Sequence, residues 1–421
     1  MLLNGGRYDG VRILSEQAVA EMGRDQTRDL DFNPVPTFAR GLGWDNVTHS
    51  GLAAVGVRGW HKKGGTMVYE TDYVVAPDEG LAVLATFSKR TLQAGLAAEQ
   101  ILFDALVERG SIPTVPKALP DDPQPERRPT DEALAAVAGT YANKNGPIRV
   151  EVKAGAPRTL EISSLDLTGH AWEPFATALK LRDDGTFSSD KKPNESYRAL
   201  RAGGRRYLLQ NAPKWTGNYR EEAPLAQYIP PAKPLEGVWK QRADREWLLV
   251  NEDARSWALE RDALPRFRLD ASDDYPGYLF ATSLSLYGQI VDPSGSDTVA
   301  RMFLKIPMEM GRDLNDVVIE ARNGEEWVRY GSSVYRPRNG VAALLPGIST
   351  VTIGAEGYAE WRKVSAAGSV AIAGASAWKL YDKDLQRLES GWGDGLVQVA
   401  APLSYLMLYG KAATPITLTV K

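Results

Sequence analysis

The residues of this chain with the clearest chemical potential form the short stretch Trp60-His61-Lys62-Lys63-Gly64-Gly65-Thr66. A lysine ammonium is a compact positive charge that can attract an anionic substrate group or take part in proton transfer. Two glycines after it leave room for a ligand to approach the backbone, where an N–H group can stabilise an oxyanion. The pattern Lys-x-Gly-Gly is common, so its neighbours must decide what it means.

The surrounding pattern predicts a small antiparallel sheet that would position this stretch. Strand-like runs occupy residues 53–60, 66–75 and 81–87, and the last two are separated by Pro77, Asp78 and Gly80, which favour a turn. A helix from about residue 92 to 108 carries one broad apolar stripe. We expect this helix to cover one face of the sheet.

The start of the chain has the pattern of a helix end. An apolar run at residues 1–3 is followed by Gly5 and Gly6, a typical helix stop, and Ser15 is placed to cap a second helix. Such a helix needs a partner surface. The sequence therefore predicts that an earlier part of the same domain precedes Met1 and is missing from the chain.

The order of these features resembles the late part of the serine β-lactamase and penicillin-binding-protein-like hydrolases, which include esterases and D-aminopeptidases. The resemblance covers residues 1–110 and includes Gly41-Leu42-Gly43-Trp44-Asp45 before the lysine stretch and residues 74–77 after it. It implies an α+β fold with an antiparallel sheet and a serine acyl hydrolase as the complete enzyme. It also implies a periplasmic or secreted location, although the sequence itself leaves the location unknown.

The resemblance also implies roles for individual residues. Lys62-Lys63-Gly64 corresponds to the third family motif, Lys-Thr-Gly, with Lys63 in place of the usual threonine. Lys62 and Gly64 would form the substrate wall, and the backbone N–H of Gly65 would be one arm of the oxyanion hole. His61 offers an alternative alignment, because some family members carry histidine in place of the motif lysine.

The other two family motifs are expected upstream, outside the chain. The nucleophile motif Ser-x-x-Lys occurs at Ser188–Lys191, Ser189–Lys192 and Ser376–Lys379, and the second motif spacing occurs at Tyr141–Asn143. All four lie in β-rich segments, where a catalytic role is not expected. The isolated chain is therefore predicted to be inactive.

Beyond residue 110 the sequence predicts three β domains. Residues 111–130 contain six prolines and read as a linker. Two blocks with similar openings, Gly139-Thr140-Tyr141 and Gly237-Val238-Trp239, suggest tandem antiparallel barrels over residues 131–230 and 235–338. They resemble the lipocalin-like C-terminal domains of some family members. Residues 339–421 resemble a small β-sandwich.

Composition narrows the range of functions. A net charge of −3 over 421 residues argues against nucleic-acid binding, no segment is long and apolar enough to span a membrane, and the absence of cysteine excludes disulfides and a thiol nucleophile. The three histidines, His49, His61 and His170, are too scattered to predict a metal site, and no cofactor is expected. A small acyl or peptide substrate is expected for the complete enzyme.

Two alternatives to a hydrolase fragment stay open. The chain is a non-catalytic β-rich binding protein, or it is one half of a split hydrolase whose other half is a separate chain. An exposed apolar surface on residues 1–110 is expected for the fragment and for the split enzyme. A fully covered sheet is expected for the binding protein.

Overall fold

The computed structural model describes residues 1–28, 39–66, 68–88, 93–167, 171–260, 263–283, 286–307, 309–311, 314–400 and 403–421. His170 lies outside these residues. The described chain is rich in β-structure, with two closed eight-stranded antiparallel barrels and several smaller sheets. The predicted tandem barrels are therefore confirmed.

The N-terminal elements follow the local signals of the sequence. A 3₁₀-helix, Leu2–Asn4, ends at Gly5, whose φ of 55° is left-handed. The two-residue strands β1 (Arg7–Tyr8) and β2 (Val11–Arg12) pair before helix α1 (Glu16–Met22). The Ser15 side chain accepts a hydrogen bond of 3.0 Å from the N–H of Ala18, so the expected cap of α1 is confirmed.

The first sheet has the order β3-β4-β5 and is antiparallel throughout. Its strands are β3 (Trp60–Gly65), β4 (Glu70–Ala76) and β5 (Leu81–Phe87). Helix α3 (Gln93–Glu108) packs against β4 and β5, which confirms the expected covering helix. Its predicted first residue, Leu92, lies outside the described part of the chain.

Two predicted strand starts are wrong. The strand expected over 53–60 begins only at Trp60, because His49 caps the short helix α2 (Ser50–Ala53), which is followed by a turn. The apolar side chains that suggested a strand instead pack against α3. The strand expected from residue 66 begins at Glu70, because the N–H of Thr66 donates to the carbonyl of Tyr69 at 2.8 Å and forms a turn.

The two faces of the first sheet are covered unequally. Val74 and its face neighbours pack against α3, and Trp60 and Val75 on the other face pack against α1 and the segment around Trp44. Further along that second face Leu84 is 63% exposed. Part of the sheet therefore presents apolar side chains to solvent.

The proline-rich segment 111–130 forms no helix or strand beyond one isolated bridge between Glu126 and Arg182, as its composition predicts. Helix α4 (Asp131–Val137) follows and leads into the first barrel. The barrel closes by pairing β13 with β6. Its strands are β6 (Gly139–Asn143), β7 (Gly146–Lys153), β8 (Thr159–Asp166), β9 (Ala171–Leu181), β10 (Phe187–Ser189), β11 (Lys192–Ala202), β12 (Arg205–Pro213) and β13 (Arg220–Tyr228).

The second barrel closes by pairing β14 with β21. Gly237-Val238-Trp239, expected to enter a strand, instead lies in helix α5 (Gly237–Arg242), so the two barrel openings match less closely than the sequence suggests. Helix α6 (Trp257–Glu260) lies between the first two strands of this barrel. These strands are β14 (Glu246–Leu249), β15 (Arg266–Asp270), β16 (Leu279–Ser283), β17 (Leu286–Asp292), β18 (Val299–Met302), β19 (Val317–Arg322), β20 (Glu325–Tyr330) and β21 (Ser333–Pro337).

The C-terminal part contains two four-stranded antiparallel sheets, β22-β29-β24-β27 and β23-β28-β25-β26. A short 3₁₀-helix at Arg338–Gly340 precedes it, and another at Glu309–Gly311 lies between Met302 and Val317 of the second barrel. Its strands are β22 (Gly347–Thr352), β23 (Tyr358–Val364), β24 (Gly368–Ala373), β25 (Ala377–Tyr381), β26 (Arg387–Trp392), β27 (Gly395–Val399), β28 (Ser404–Gly410) and β29 (Pro415–Val420).

Aromatic side chains join the successive β units into a continuous packing. The hydroxyl of Tyr275 in the second barrel lies 2.7 and 2.8 Å from the carbonyl oxygens of Tyr141 and Ile148 in the first, between which it shares its single proton. The fully buried Trp361 of the C-terminal part donates from Nε1 to the carbonyl of Leu249, at 2.7 Å. The cores of neighbouring units are therefore shared.

Candidate functional site

The outer edge of β3 carries the predicted site residues. The N–H of His61 donates to the carbonyl of Asn46 at 2.7 Å, and the N–H of Lys63 donates to Oδ2 of Asp45 at 2.8 Å. Both amides therefore point away from β4. Because hydrogen-bonding direction alternates along an antiparallel strand, the N–H of Gly65 points to the same edge.

Lys62 forms an ion pair at this edge. Its Nζ lies 2.8 Å from Oδ1 of Asp45, and the two side chains are 44% and 31% exposed. Burial raises the pKa of Asp45, but hydrogen bonds from the Lys62 ammonium and the Lys63 N–H outweigh it and hold this pKa below its ordinary value. Asp45 was not predicted from the sequence as a candidate site residue, although it contacts both Lys62 and Lys63.

Gly64 and Gly65 are exposed, and packing does not require either to be glycine. A Cβ on Gly64 would meet only the Thr71 side chain, at 3.9 Å, and one on Gly65 only the carbonyl of Tyr69, at 3.9 Å. Among the described residues, both faces of the sheet are therefore uncrowded at the end of β3.

The His61 ring lies in a buried cluster. Its Nε2 contacts Oδ1 of Asp72, which is fully buried on β4, and its ring centroid lies 4.8 Å from that of Trp215. Asp72 was missed by sequence reasoning. The available signal was its alternation with Val74, which places an acidic side chain on the face that α3 covers.

A second buried pair lies next to the first. Nε2 of His49 is 3.0 Å from Oε1 of Glu99 on α3, and Nδ1 of the same ring accepts from the N–H of Leu52 at 3.3 Å. Glu99 also accepts from the hydroxyls of Tyr219, at 2.6 Å, and Thr216, at 2.9 Å. Burial and the neighbouring Glu99 charge raise the pKa of Tyr219 well above its ordinary value.

The loop between β12 and β13 of the first barrel supplies Trp215, Thr216 and Tyr219 to this cluster. Trp215 has a φ of 28°, a strained value for a residue with a side chain. Its ring lies against Gly95 of α3, where a Cβ would approach Cε2 to 2.5 Å. The first barrel is thus anchored directly behind β3.

The other serine and tyrosine motifs take part in separate local structures. Oγ of Ser188 accepts from Nε of Arg182 at 2.9 Å inside the first barrel, and Nζ of Lys379 lies 2.7 Å from Oε1 of Glu260. The buried Tyr141 donates to the carbonyl of Val137 at 2.6 Å. Within the described residues, the hydrogen-bond partner of the Lys62 ammonium is Asp45, and no serine or threonine hydroxyl binds it.

No group of three or more His, Cys, Asp or Glu side chains with metal-binding geometry occurs in the described part of the chain. None of the described helices combines the length and the apolar character required to cross a bilayer.

Comparison with known proteins adds little to this geometry. No protein-family model and no curated protein matches the chain. Among solved structures, the chain is similar to SurE in a crystal structure with D-Leu, with 20% identity and a TM-score of 0.31 over 51% of this chain and 44% of that one. A second similarity is to an octameric penicillin-binding protein homologue from Pyrococcus abyssi, with 13% identity and a TM-score of 0.22 over 54% and 44%.

The chain spans less than half the length of these two solved structures. TM-scores of this size do not establish a common fold. The class that the chain's own structure defines is a β-rich protein with two closed eight-stranded antiparallel barrels, further small sheets and few helices.

Proposed function

We propose that residues 1–110 form one wall of a serine acyl hydrolase of the β-lactamase and penicillin-binding-protein type. In this proposal the nucleophile and its base come from a segment outside the chain, either as its N-terminal continuation or as a separate half. The substrate is an ester, amide or lactam. Residues 131–230, 235–338 and 339–421 are accessory β domains, joined to the wall by the linker at 111–130.

The observation that carries the proposal is the exposed end of β3 at Gly64 and Gly65. Lys62, Lys63 and Gly65 lie within four residues of one strand, where the Lys63 N–H binds Asp45 and the Gly65 N–H points to the same edge. An extended substrate can add to such an edge as a further strand, and a backbone N–H there can stabilise a developing oxyanion. The buried pair of His61 and Asp72 lies behind this edge, which makes His61 a supporting residue in the proposal and Lys62 the motif lysine.

Exposed apolar side chains on the same part of the chain support a missing partner surface. Tyr8, Val11, Ile13, Leu84 and Ile101 are each more than half exposed. Tyr8 and Val11 are paired across β1 and β2, and Ile13 follows directly, so these three lie close together. Adjacent exposed apolar side chains are typical of an interaction surface. This pattern favours the fragment and the split enzyme over a self-contained binding protein.

The proposal is tested with an uncharged fluorophosphonate probe, which reacts with an activated serine. The chain alone should not be labelled. The coding DNA is read for roughly 200–300 codons upstream of Met1, which is the span expected for the rest of such a domain. This stretch should encode an in-frame Ser-x-x-Lys segment, and co-expression of that segment with the chain should restore labelling. Stoichiometric labelling of the chain alone would overturn the proposal.

The role of Lys62 is tested in the reconstituted protein. Lys62→Ala should slow acylation by about 10²–10⁴-fold, the usual contribution of a group that assists proton transfer. Lys117→Ala, in the proline-rich segment, is the matched control and should leave the rate unchanged. An unchanged rate in Lys62→Ala would remove Lys62 from the active site.

One observation favours the second candidate, a non-catalytic binding protein. A cleft of about 930 Å³ lies between the second barrel and the C-terminal part, with Arg245, Trp247, Arg338, Lys363 and Tyr405 among its lining residues. This volume is in the range of small-ligand sites. If the upstream DNA encodes no hydrolase segment, a small-molecule screen read by NMR, with Tyr405→Ala as control, becomes the appropriate test.

A further inference from the structure

Asp45 occupies the position at the β3 edge where an anionic ligand group would bind. One carboxylate oxygen lies 2.8 Å from Nζ of Lys62, and the other accepts from the N–H of Lys63 at 2.8 Å. A lysine ammonium and a backbone N–H converging on two oxygens form a carboxylate-binding arrangement. Here the carboxylate belongs to the protein itself.

The backbone holds Asp45 in this position. Its N–H donates to the carbonyl of His61 at 3.0 Å, and Asn46, the next residue, exchanges hydrogen bonds with the same residue of β3. The carboxylate therefore approaches the strand from a segment already docked along the edge. Holding it costs little additional conformational entropy.

The charge at the edge follows from this arrangement. The Asp45 carboxylate neutralises the Lys62 ammonium, and both side chains are partly shielded from water. An incoming carboxylate would meet the negative charge of Asp45 and a Lys63 N–H that already has an acceptor. The Gly65 N–H, two residues further on, points to the same edge, and Gly65 is exposed.

We infer that Asp45 is a specificity-determining residue that excludes carboxylate-bearing ligands from the Lys62–Lys63 position and leaves the Gly65 N–H available to neutral carbonyl groups. This inference rests on the proposed function, since it assigns the substrate class of the same edge. The substrate is an acyl compound that is neutral or cationic where it faces Lys62. The fixed positive charge expected from the sequence is cancelled by a neighbour in the protein.

The test measures ligand binding to the full 421-residue chain and does not require catalysis. Sodium acetate is titrated against wild type, Asp45→Asn and Asp45→Ala at constant ionic strength, with acetamide as the neutral probe. The readout is the chemical shift of the backbone amides of Lys63 and Gly65. Asp78→Asn is the matched control, because Asp78 forms an exposed ion pair with Arg58 in the same part of the chain.

Removal of Asp45 should increase acetate affinity at Lys63 by at least about tenfold, the scale of one unit charge at short range in a partly solvated site. Lys62→Gln in the Asp45→Ala background should cancel this gain, and acetamide binding should change less than twofold. Asp78→Asn should behave as wild type. Acetate affinity within twofold of wild type in both Asp45 variants, with their amide spectra otherwise unchanged, would overturn the inference.

The reconstituted enzyme separates this inference from the proposed function. Gain of acetate binding without any serine labelling would keep Asp45 as an anion-excluding residue and refute the hydrolase. Restored labelling, with equal turnover of anionic and neutral esters by wild type and Asp45→Asn, would keep the hydrolase and refute the role of Asp45.

Discussion

Gly95 gives the sharpest test of how the first barrel contacts α3. In most helix positions, replacing glycine with alanine stabilises the helix by roughly 0.5–1 kcal/mol, because the glycine backbone loses more freedom on folding. At Gly95, a Cβ would lie 2.5, 2.6 and 2.9 Å from three ring atoms of Trp215. Gly95→Ala must therefore displace Trp215 or shift α3.

The expected net effect reverses the usual sign. Overpacking of this kind costs about 1–3 kcal/mol, which exceeds the helix gain. Gly95→Ala should lower the free energy of unfolding of α3 by roughly 1 kcal/mol. In a Trp215→Ala background the clash is absent, so the same change should stabilise α3 by roughly 0.5–1 kcal/mol.

Native-state hydrogen exchange of the α3 amides measures this free energy locally, which matters in a chain of several packed units. Gln100 lies on the exposed side of the same helix. Comparing Gln100→Gly with Gln100→Ala there measures how much the difference in helix propensity between glycine and alanine contributes to the stability of α3. Equal stabilisation by Gly95→Ala in both backgrounds would refute the contact between Trp215 and α3. It would also remove the anchor of the first barrel behind β3.

Three further predictions concern the buried and edge groups. Asp72→Asn should destabilise the first sheet by about 3 kcal/mol, because it breaks a buried pair with His61. Asp78→Asn, in an exposed pair, should lower the free energy of unfolding by under about 1 kcal/mol. Urea unfolding, monitored by the NMR signals of the sheet amides, compares the two variants. The lowered pKa of Asp45 means that its stabilising contribution is complete above the ordinary aspartate pKa and is lost as the pH falls through its lower folded value. The ¹³C titration of its carboxyl group should therefore lie below the ordinary aspartate pKa, and titration at or above the ordinary value contradicts the ion pair. Trp361→Phe should lower the free energy of unfolding by roughly 2–4 kcal/mol, because it leaves the buried carbonyl of Leu249 without its donor. Denaturant unfolding should show the second barrel and the C-terminal part losing structure together, and two separate transitions would contradict a shared core.

Local sequence signals predicted the covering helix, the Ser15 cap and the linker, because each depends on residues close together in the chain. The same reasoning failed at residues 53–60, where apolar side chains pack against α3 from a helix and turn instead of a strand. Short apolar runs fit either structure, and tertiary contacts decide between them. The barrel closures, β13 with β6 and β14 with β21, join strands about 80–90 residues apart, which no local pattern specifies.

The site shows the same division between local and distant information. Lys62, Gly64 and Gly65 were predicted from adjacent residues, and the structure places all three in β3. Asp45, Asp72 and Glu99 were not identified, because their contacts are to partners 11–120 residues away. A carboxylate in a predicted loop or strand has many possible partners, and sequence alone does not choose among them.

The contacts between successive units have a common physical basis. Tyr275 joins the two barrels, Trp361 joins the second barrel to the C-terminal part, and Tyr219 joins the first barrel to α3, each with a polar atom hydrogen-bonded across the contact. A buried tyrosine or tryptophan combines a large apolar area with one directional hydrogen bond, so it fixes orientation as well as proximity. The anchored loop that carries Tyr219 also packs Trp215 against His61. The first barrel therefore packs behind β3 at His61, the residue next to Lys62.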